Sequence, residues 1–223
     1  MPINLPLLLG HRGARATKSV PENSIESFDL ALTHGCDGFE FDVRLTSDRA
    51  SVISHDPRLR GLTVAKVTRG EMPELPLLQE VLSRYRSRAF LDIELKVTGL
   101  ESSLLMALDN NPPERGYVVS SFLPAVLSDV SARNPRIPLG LICDRKGELV
   151  LWPEMPVEYV IPHGSLVTRQ LVEHIRDAGK KLLVWTVNDP ATMLQLRDWG
   201  VEGIISDDTE LLVRTMRRSA SGN

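Results

Sequence analysis

Eight short apolar runs recur along the chain: LPLLLG, GFEFDV, AFLDIELK, GYVVSSF, IPLGLIC, EYVIPHG, KLLVWTVN and EGIISDD. Each is followed by a turn and then by apolar residues at helical spacing, as Leu171, Ile175 and Ala178 show. Strands alternating with amphipathic helices are parallel βα units, because a parallel pair needs a crossover and a helix is the usual one. Eight units in 223 residues predict a closed TIM (β/α)8 barrel. An open dinucleotide-binding sheet would carry GxGxxG after its first strand, and that motif is absent there. Helices are expected at Ser24 to His34, Gln79 to Tyr85, Gly99 to Asn110, Ala125 to Arg133, Thr168 to Ala178, Pro190 to Trp199 and Thr209 to Arg217. No linker or low-complexity stretch interrupts the pattern, so residues 1–223 read as one domain. Residues 57–77 lack the periodicity and read as a short loop insertion on the second βα unit, at the end of a barrel where sites are built.

A net charge of −3 gives no general attraction to nucleic acid. Cys36 and Cys143 stand far apart without CxxC spacing, which points to buried reduced thiols and away from a disulfide framework or zinc ribbon. No apolar run approaches the length of a bilayer span. The opening MPINLPLLLG lacks a basic leader and reads as a strand, so a cytoplasmic location is expected. The basic tail RTMRRSASGN reads as the solvated end of the last helix followed by disorder.

The chemistry sits at the ends of the early strands. In GFEFDVR, Phe39, Phe41 and Val43 alternate with Glu40, Asp42 and Arg44, which sets two carboxylates side by side on one face of an apolar strand. LDIELK likewise puts Asp92, Glu94 and Lys96 on one face. Glu40, Asp42 and Glu94 make an all-oxygen set suited to one hard divalent cation, Mg²⁺ or Ca²⁺. The competing reading is a salt-bridge network with Arg12, Arg44 and Lys96. Histidines at two neighbouring strand ends, His11 in GHRG and His55 in SVISHD, favour the metal. Arg12 and Lys96 bring fixed positive charge suited to phosphate, and His11 and His55 are placed to divide the proton transfers.

In PENSIE, Asn23 with Glu26 three residues on matches a capping box with Asn23 as N-cap, while Glu22 lies outside the helix, available to Arg12 or to a substrate hydroxyl. Trp185 stands at a strand end, as an aromatic wall for a substrate or as core filling. His34 and His174 read as structural, Trp152 and Trp199 as packing, and His163 stays open.

The ordered set HRG, PENS, FEFDVRLTSD with SHDP, IELK, VWTVND and GVEGIISDD resembles the glycerophosphodiester phosphodiesterase family over nearly the whole chain. The resemblance implies a TIM barrel that uses one divalent cation to hydrolyse glycerophosphodiesters to glycerol 3-phosphate and an alcohol. It implies metal ligation by Glu40, Asp42 and Glu94, acid/base roles for His11 and His55, and phosphate contacts from Arg12 and Lys96. Glu22 corresponds to an acidic residue near the site and Trp185 to the substrate wall. The chain departs from the family in a shorter insertion after His55, and in Thr209 after SDD where a proline is expected. The alternatives are a lysophospholipase D-type phosphodiesterase and a non-catalytic barrel that binds a phosphate ligand.

Overall fold

A computed structural model describes residues 5–220, with side chains to Arg217. In chain order the strands are β1 (Leu7–His11), β2 (Gly38–Leu45), β3 (Ser51–Ile53), β4 (Arg58–Leu59), β5 (Leu62–Thr63), β6 (Phe90–Leu95), β7 (Tyr117–Ser121), β8 (Leu139–Cys143), β9 (Tyr159–Pro162), β10 (Lys181–Val184) and β11 (Gly203–Ser206). The helices are α1 (Ile25–His34), α2 (Leu78–Tyr85), α3 (Glu101–Asn110), α4 (Pro124–Arg133), α5 (Lys146–Leu149), α6 (Arg169–Asp177), α7 (Pro190–Trp199) and α8 (Thr209–Ala220). The eight apolar runs pair in parallel in the circular order β1-β2-β6-β7-β8-β9-β10-β11, and β11 returns to β1 to close the barrel.

Strand alternation sorts the side chains into two layers. Leu9, Phe90, Val118, Ile142, Ile161, Leu183 and Ile205 point inward and fill the barrel. Phe39 and Phe41 point outward, fully buried, and meet the helices. Phe39 stacks on Phe28 of α1 at 4.2 Å and meets Tyr85 of α2 edge-on at 4.8 Å. Such pairs add ~0.5–1.5 kcal/mol each beyond their burial. The same alternation turns Glu40 and Asp42 to the inside. At the foot of β2 only glycine fits, since a Cβ on Gly38 would lie 1.8 Å from the carbonyl oxygen of Phe90.

The structure corrects the start of α1. Ser24, not Asn23, is the N-cap: its side chain accepts from Ser27 N. Asn23 lies one residue before the cap with φ 56°. The unit after β8 also departs from expectation, holding only the single turn α5 and a 3₁₀ turn at Trp152–Glu154. Trp152 is buried there and meets His174 edge-on at 5.2 Å, in keeping with packing roles for both.

The insertion is compact. β3 runs antiparallel to β2, β4 and β5 form a small hairpin, and 3₁₀ turns follow at Val64–Lys66 and Arg69–Glu71. Val52, Val64, Val67, Met72 and Leu75 form a cluster of their own, apart from the barrel core. The last helix continues through the basic segment to Ala220. Residues 1–4 of the opening segment and 221–223 of the tail lie outside the described residues. Among the described residues no helix is long and apolar enough to cross a membrane.

Candidate active site

The turn after β1 builds one wall of the site. β1 delivers His11 to the barrel mouth, and the chain then leaves the strand with φ of 53° at Arg12 and 83° at Gly13. A Cβ on Gly13 would lie 2.4 Å from Ser27 Oγ, so this turn admits only glycine at its second step. It aims the Arg12 backbone N–H at Glu40 Oε2 (2.9 Å), and the guanidinium at Glu22 Oε1 (2.7 Å) and Asp42 Oδ2 (3.3 Å).

β2 and β6 supply the acids in register, Glu40 opposite Asp92 and Asp42 opposite Glu94. One oxygen each from Glu40, Asp42 and Glu94 can be chosen so that all three lie within 4.8 Å of one another. Lys96 Nζ lies 3.2 Å from Asp42 Oδ1 and 2.5 Å from Glu94 Oε1. Arg44 does not join them, donating instead through Nε and Nη2 to the His55 carbonyl at 2.8 and 2.6 Å. A network closed by three cations is therefore not what forms. Of the three, Arg12 and Lys96 make the ion pairs, to Asp42 and Glu94, and Arg12 is shared with Glu22.

That imbalance appears in the hydrogen bonding and in the ionisation. Glu40 Oε1 is buried without a hydrogen-bond donor, and Asp42 Oδ1 and Glu94 Oε1, also buried, share the single ammonium of Lys96. Burial, with Asp42 and Glu94 alongside, holds the Glu40 carboxyl well above the usual range. Burial and Asp42 push Glu94 up to about 8. At Asp42 burial works against ionisation, but Lys96 and Arg12 outweigh it and hold the carboxyl below its ordinary value. Asp92, one pair deeper on β6, is pushed up to about 7 by burial and accepts from Ser120 Oγ at 2.5 Å. Three buried carboxylates that share two cations, one of them with an orphaned oxygen, fit a hard divalent cation.

The two histidines differ in their support. His11 is buried, with Nδ1 2.7 Å from Asp207 Oδ1 and Nε2 3.8 Å from Glu40 Oε2. His55 is half-buried, with Nδ1 2.8 Å from the exposed Asp56 carboxylate. Burial lowers the His55 pKa, and the charges of Arg12 and Lys96 act in the same direction against Asp42. Both rings border a cavity of about 110 Å³ together with Arg12, Glu40, Glu94 and Lys96. A larger depression of about 420 Å³ lies between β3, α2 and α3, with Arg49 as its one charged lining residue, and it has no part in this cluster.

Trp185 lines the same cavity. Its Nε1 donates to the Ile161 carbonyl at 3.0 Å, and Phe122 meets it edge-on at 5.6 Å. His163 packs edge-on against Trp185 at 5.4 Å, with Nδ1 2.8 Å from Ser165 Oγ. Glu22 accepts from Arg12 and from Arg15 Nε (2.6 Å), and these bonds outweigh its burial and lower its pKa.

Three residues that the sequence does not single out, Arg15, Asn188 and Asp207, belong to this arrangement, as does Asn23, which was expected as an N-cap. Asn23 Nδ2 donates to Asp42 Oδ2 at 2.8 Å, and its Oδ1 accepts from Asp42 N at 3.3 Å. Arg15, Asn188 and Asp207 form a group beside His11. The available signal was the doubled acid in SDD. Asp208 caps α8 by accepting from Leu211 N, which leaves Asp207 for another task. Thr209, where a proline was expected, opens α8 and bonds His34 Nδ1 through Oγ1 at 2.7 Å.

Residues 11–110 and 107–211 match the sequence model of the Glycerophosphoryl diester phosphodiesterase family. The chain belongs to this family. It is 31% identical to the glycerophosphodiester phosphodiesterase of Caldanaerobacter subterraneus subsp. tengcongensis, over 95% of this chain and 98% of that one. Among solved members it is similar to the enzyme from Thermotoga maritima, with a TM-score of 0.82 at 25% identity, covering 95% of this chain and 98% of the other. A phosphodiesterase from Oleispira antarctica, solved with its product sn-glycerol-3-phosphate, superposes with a TM-score of 0.81 at 26% identity over 96% and 97% of the two chains. These matches run nearly end to end, so the family's barrel and this barrel correspond as wholes.

Proposed function

We propose that this glycerophosphodiester phosphodiesterase family member hydrolyses glycerophosphodiesters, releasing glycerol 3-phosphate and an alcohol, with residues 1–223 acting as one unit. Membership in the family makes it a phosphoric diester hydrolase. The observation that carries the substrate and site assignment is the cluster of Glu40, Asp42 and Glu94, two of which, Glu40 and Glu94, line one small cavity with Arg12, Lys96 and two histidines. The product held by the Oleispira relative supports the same substrate class.

Glu40, Asp42 and Glu94 would hold one divalent cation, Mg²⁺ or Ca²⁺. When bound, that cation neutralises the carboxylates and draws charge from the phosphoryl oxygens. Arg12 and Lys96 bind the non-bridging oxygens and offset the negative charge that grows in the transition state. One of His11 and His55 takes the proton of the attacking oxygen, from water or from the neighbouring glycerol hydroxyl. The other gives a proton to the departing alcohol oxygen, so the P–O bond breaks without releasing an alkoxide. Glu22 orients Arg12, and Trp185 packs the carbon skeleton of the glycerol moiety.

The deciding experiment measures glycerol 3-phosphate release from glycerophosphocholine by chelator-stripped protein, with Mg²⁺ or Ca²⁺ returned. The expected result is cation-dependent release that falls by at least about a hundredfold in Glu40→Gln, the scale on which removal of an outer metal-site partner already acts. Release from a long-chain lysophospholipid well above that from glycerophosphocholine would instead assign a lysophospholipase D. Binding of glycerol 3-phosphate without turnover in either cation would mark a non-catalytic barrel.

A further inference from the structure

Asp207 is an acid in this neighbourhood that the proposed reaction leaves without a task, and it is held more firmly than any task-free surface acid would be. Its Oδ1 meets His11 Nδ1 at 2.7 Å and accepts from Arg15 Nη1 at 3.0 Å, while Oδ2 accepts from Asn188 Nδ2 at 2.8 Å. Asn188 is fixed in turn, because its Oδ1 accepts both the Asp207 backbone N–H and Ser206 Oγ at 2.9 Å. Burial works against ionisation of Asp207, but the bonds from His11, Asn188 and Arg15 outweigh it and keep the carboxyl depressed.

An ionised carboxylate can only accept, so the shared hydrogen between His11 and Asp207 sits on Nδ1. In the neutral ring that leaves Nε2 as the bare nitrogen, and Nε2 is the atom that faces Glu40 Oε2 at 3.8 Å. His55 has no equal support: its carboxylate neighbour is the next residue in the chain and is 72% exposed. An exposed pair of that kind orients weakly.

We propose that Asp207, held by Asn188 and Arg15, is a positioning residue that fixes the orientation and tautomer of His11, so that Nε2 alone exchanges protons with the reacting oxygens. This assignment rests on the phosphodiesterase reading for its kinetic consequence, but the tautomer itself can be read without substrate.

The test pairs Asp207→Asn with a nitrogen-15 NMR measurement of the His11 ring. The amide keeps the size of the carboxylate but can present a donor to Nδ1, which permits the wrong tautomer. In the wild type the expected state has Nδ1 protonated and bonded to Asp207 whether or not Nε2 carries a proton, so the neutral ring is the Nδ1–H tautomer. In Asp207→Asn the expected result is a mixture of tautomers, with kcat lower by at least about a hundredfold, where a comparable change in a serine protease triad costs about 10⁴. KM and calorimetric cation affinity should stay within about threefold, and Asp207→Glu should recover part of kcat. A neutral wild-type His11 ring with its proton on Nε2 and none on Nδ1, or an Asp207→Asn variant with kcat within about threefold of wild type, would overturn the proposal. A wild type that turns over no glycerophosphodiester would sink the reaction assignment, and the ring measurement would then decide the positioning on its own.

Discussion

Asn23 shows how much one side chain can carry. It adopts φ 56°, a left-handed conformation that asparagine tolerates better than most residues, and from there both ends of its amide reach Asp42. Asn23→Ala removes both bonds and adds backbone strain, whereas Asn23→Gly removes the bonds and relieves the strain. In urea denaturation Ala should cost more than Gly by about 1 kcal/mol. Both should weaken Mg²⁺ or Ca²⁺ binding in calorimetry by about 10- to 100-fold, the usual effect of losing a partner behind a metal ligand. Unchanged affinity in both variants would return Asn23 to a purely structural role. The cysteines give a second test at this scale. Burial pushes the Cys36 and Cys143 thiols up to about 12, so about one molecule in 10⁴ carries a thiolate at pH 8. Iodoacetamide at that pH should leave the folded protein unlabelled and modify both residues once urea unfolds it, as mass spectrometry would show.

At the scale of elements, what could be read from the sequence was what repeats along a single strand or helix. Period-two alternation placed Glu40 with Asp42 and Glu94 with Lys96 before any pairing was known, and the barrel sets these strands side by side in register. Capping was less legible. Asn23 and Ser24 are both good N-cap residues, Asn23 has a glutamate at the spacing of a capping box, and only the observed backbone shows that Ser24 takes the cap. The insertion was hidden because its order comes from a cluster without periodicity. That cluster predicts independence: Met72→Ala should cost ~2–5 kcal/mol within it, with little effect on the barrel, which has a separate core. Limited trypsin digestion should then cut first at Arg58, Arg60, Lys66 or Arg69, while the circular-dichroism melt shifts little. A melt lowered in full, with no preferred cleavage, would show the insertion and barrel to be one cooperative unit.

Closure of the whole barrel makes contacts that no local pattern can announce. His11 and Asp207 are 196 residues apart and meet because β11 returns to β1. Closure also buries the acids that β2 and β6 set side by side, where they repel one another, and this has a consequence for the entire fold. Without a cation, Glu94 has a folded pKa of about 8 against an ordinary 4.5, and Glu40 is shifted the same way. Between those values the folded state binds more protons than the unfolded chain, so the stability these groups contribute at low pH is lost as pH rises toward 8. Asp42 is depressed, so its contribution disappears only as pH falls below the ordinary carboxylate range, and it does not cancel the trend. Each proton so held is worth ~1.4 kcal/mol per pH unit, or about 3–5 °C in Tm for a chain of this size. Chelator-stripped protein should therefore lose Tm from pH 5 to 8. Millimolar Mg²⁺ or Ca²⁺ should reverse the slope, because a cation that binds only the folded, ionised site adds stability that grows with pH. Glu94→Gln should make the slope shallower without any cation, Glu40 and Asp92 keeping the remainder. A stripped protein whose Tm is flat or rising over that range, and indifferent to both cations, would mean that Arg12 and Lys96 suffice to neutralise the site.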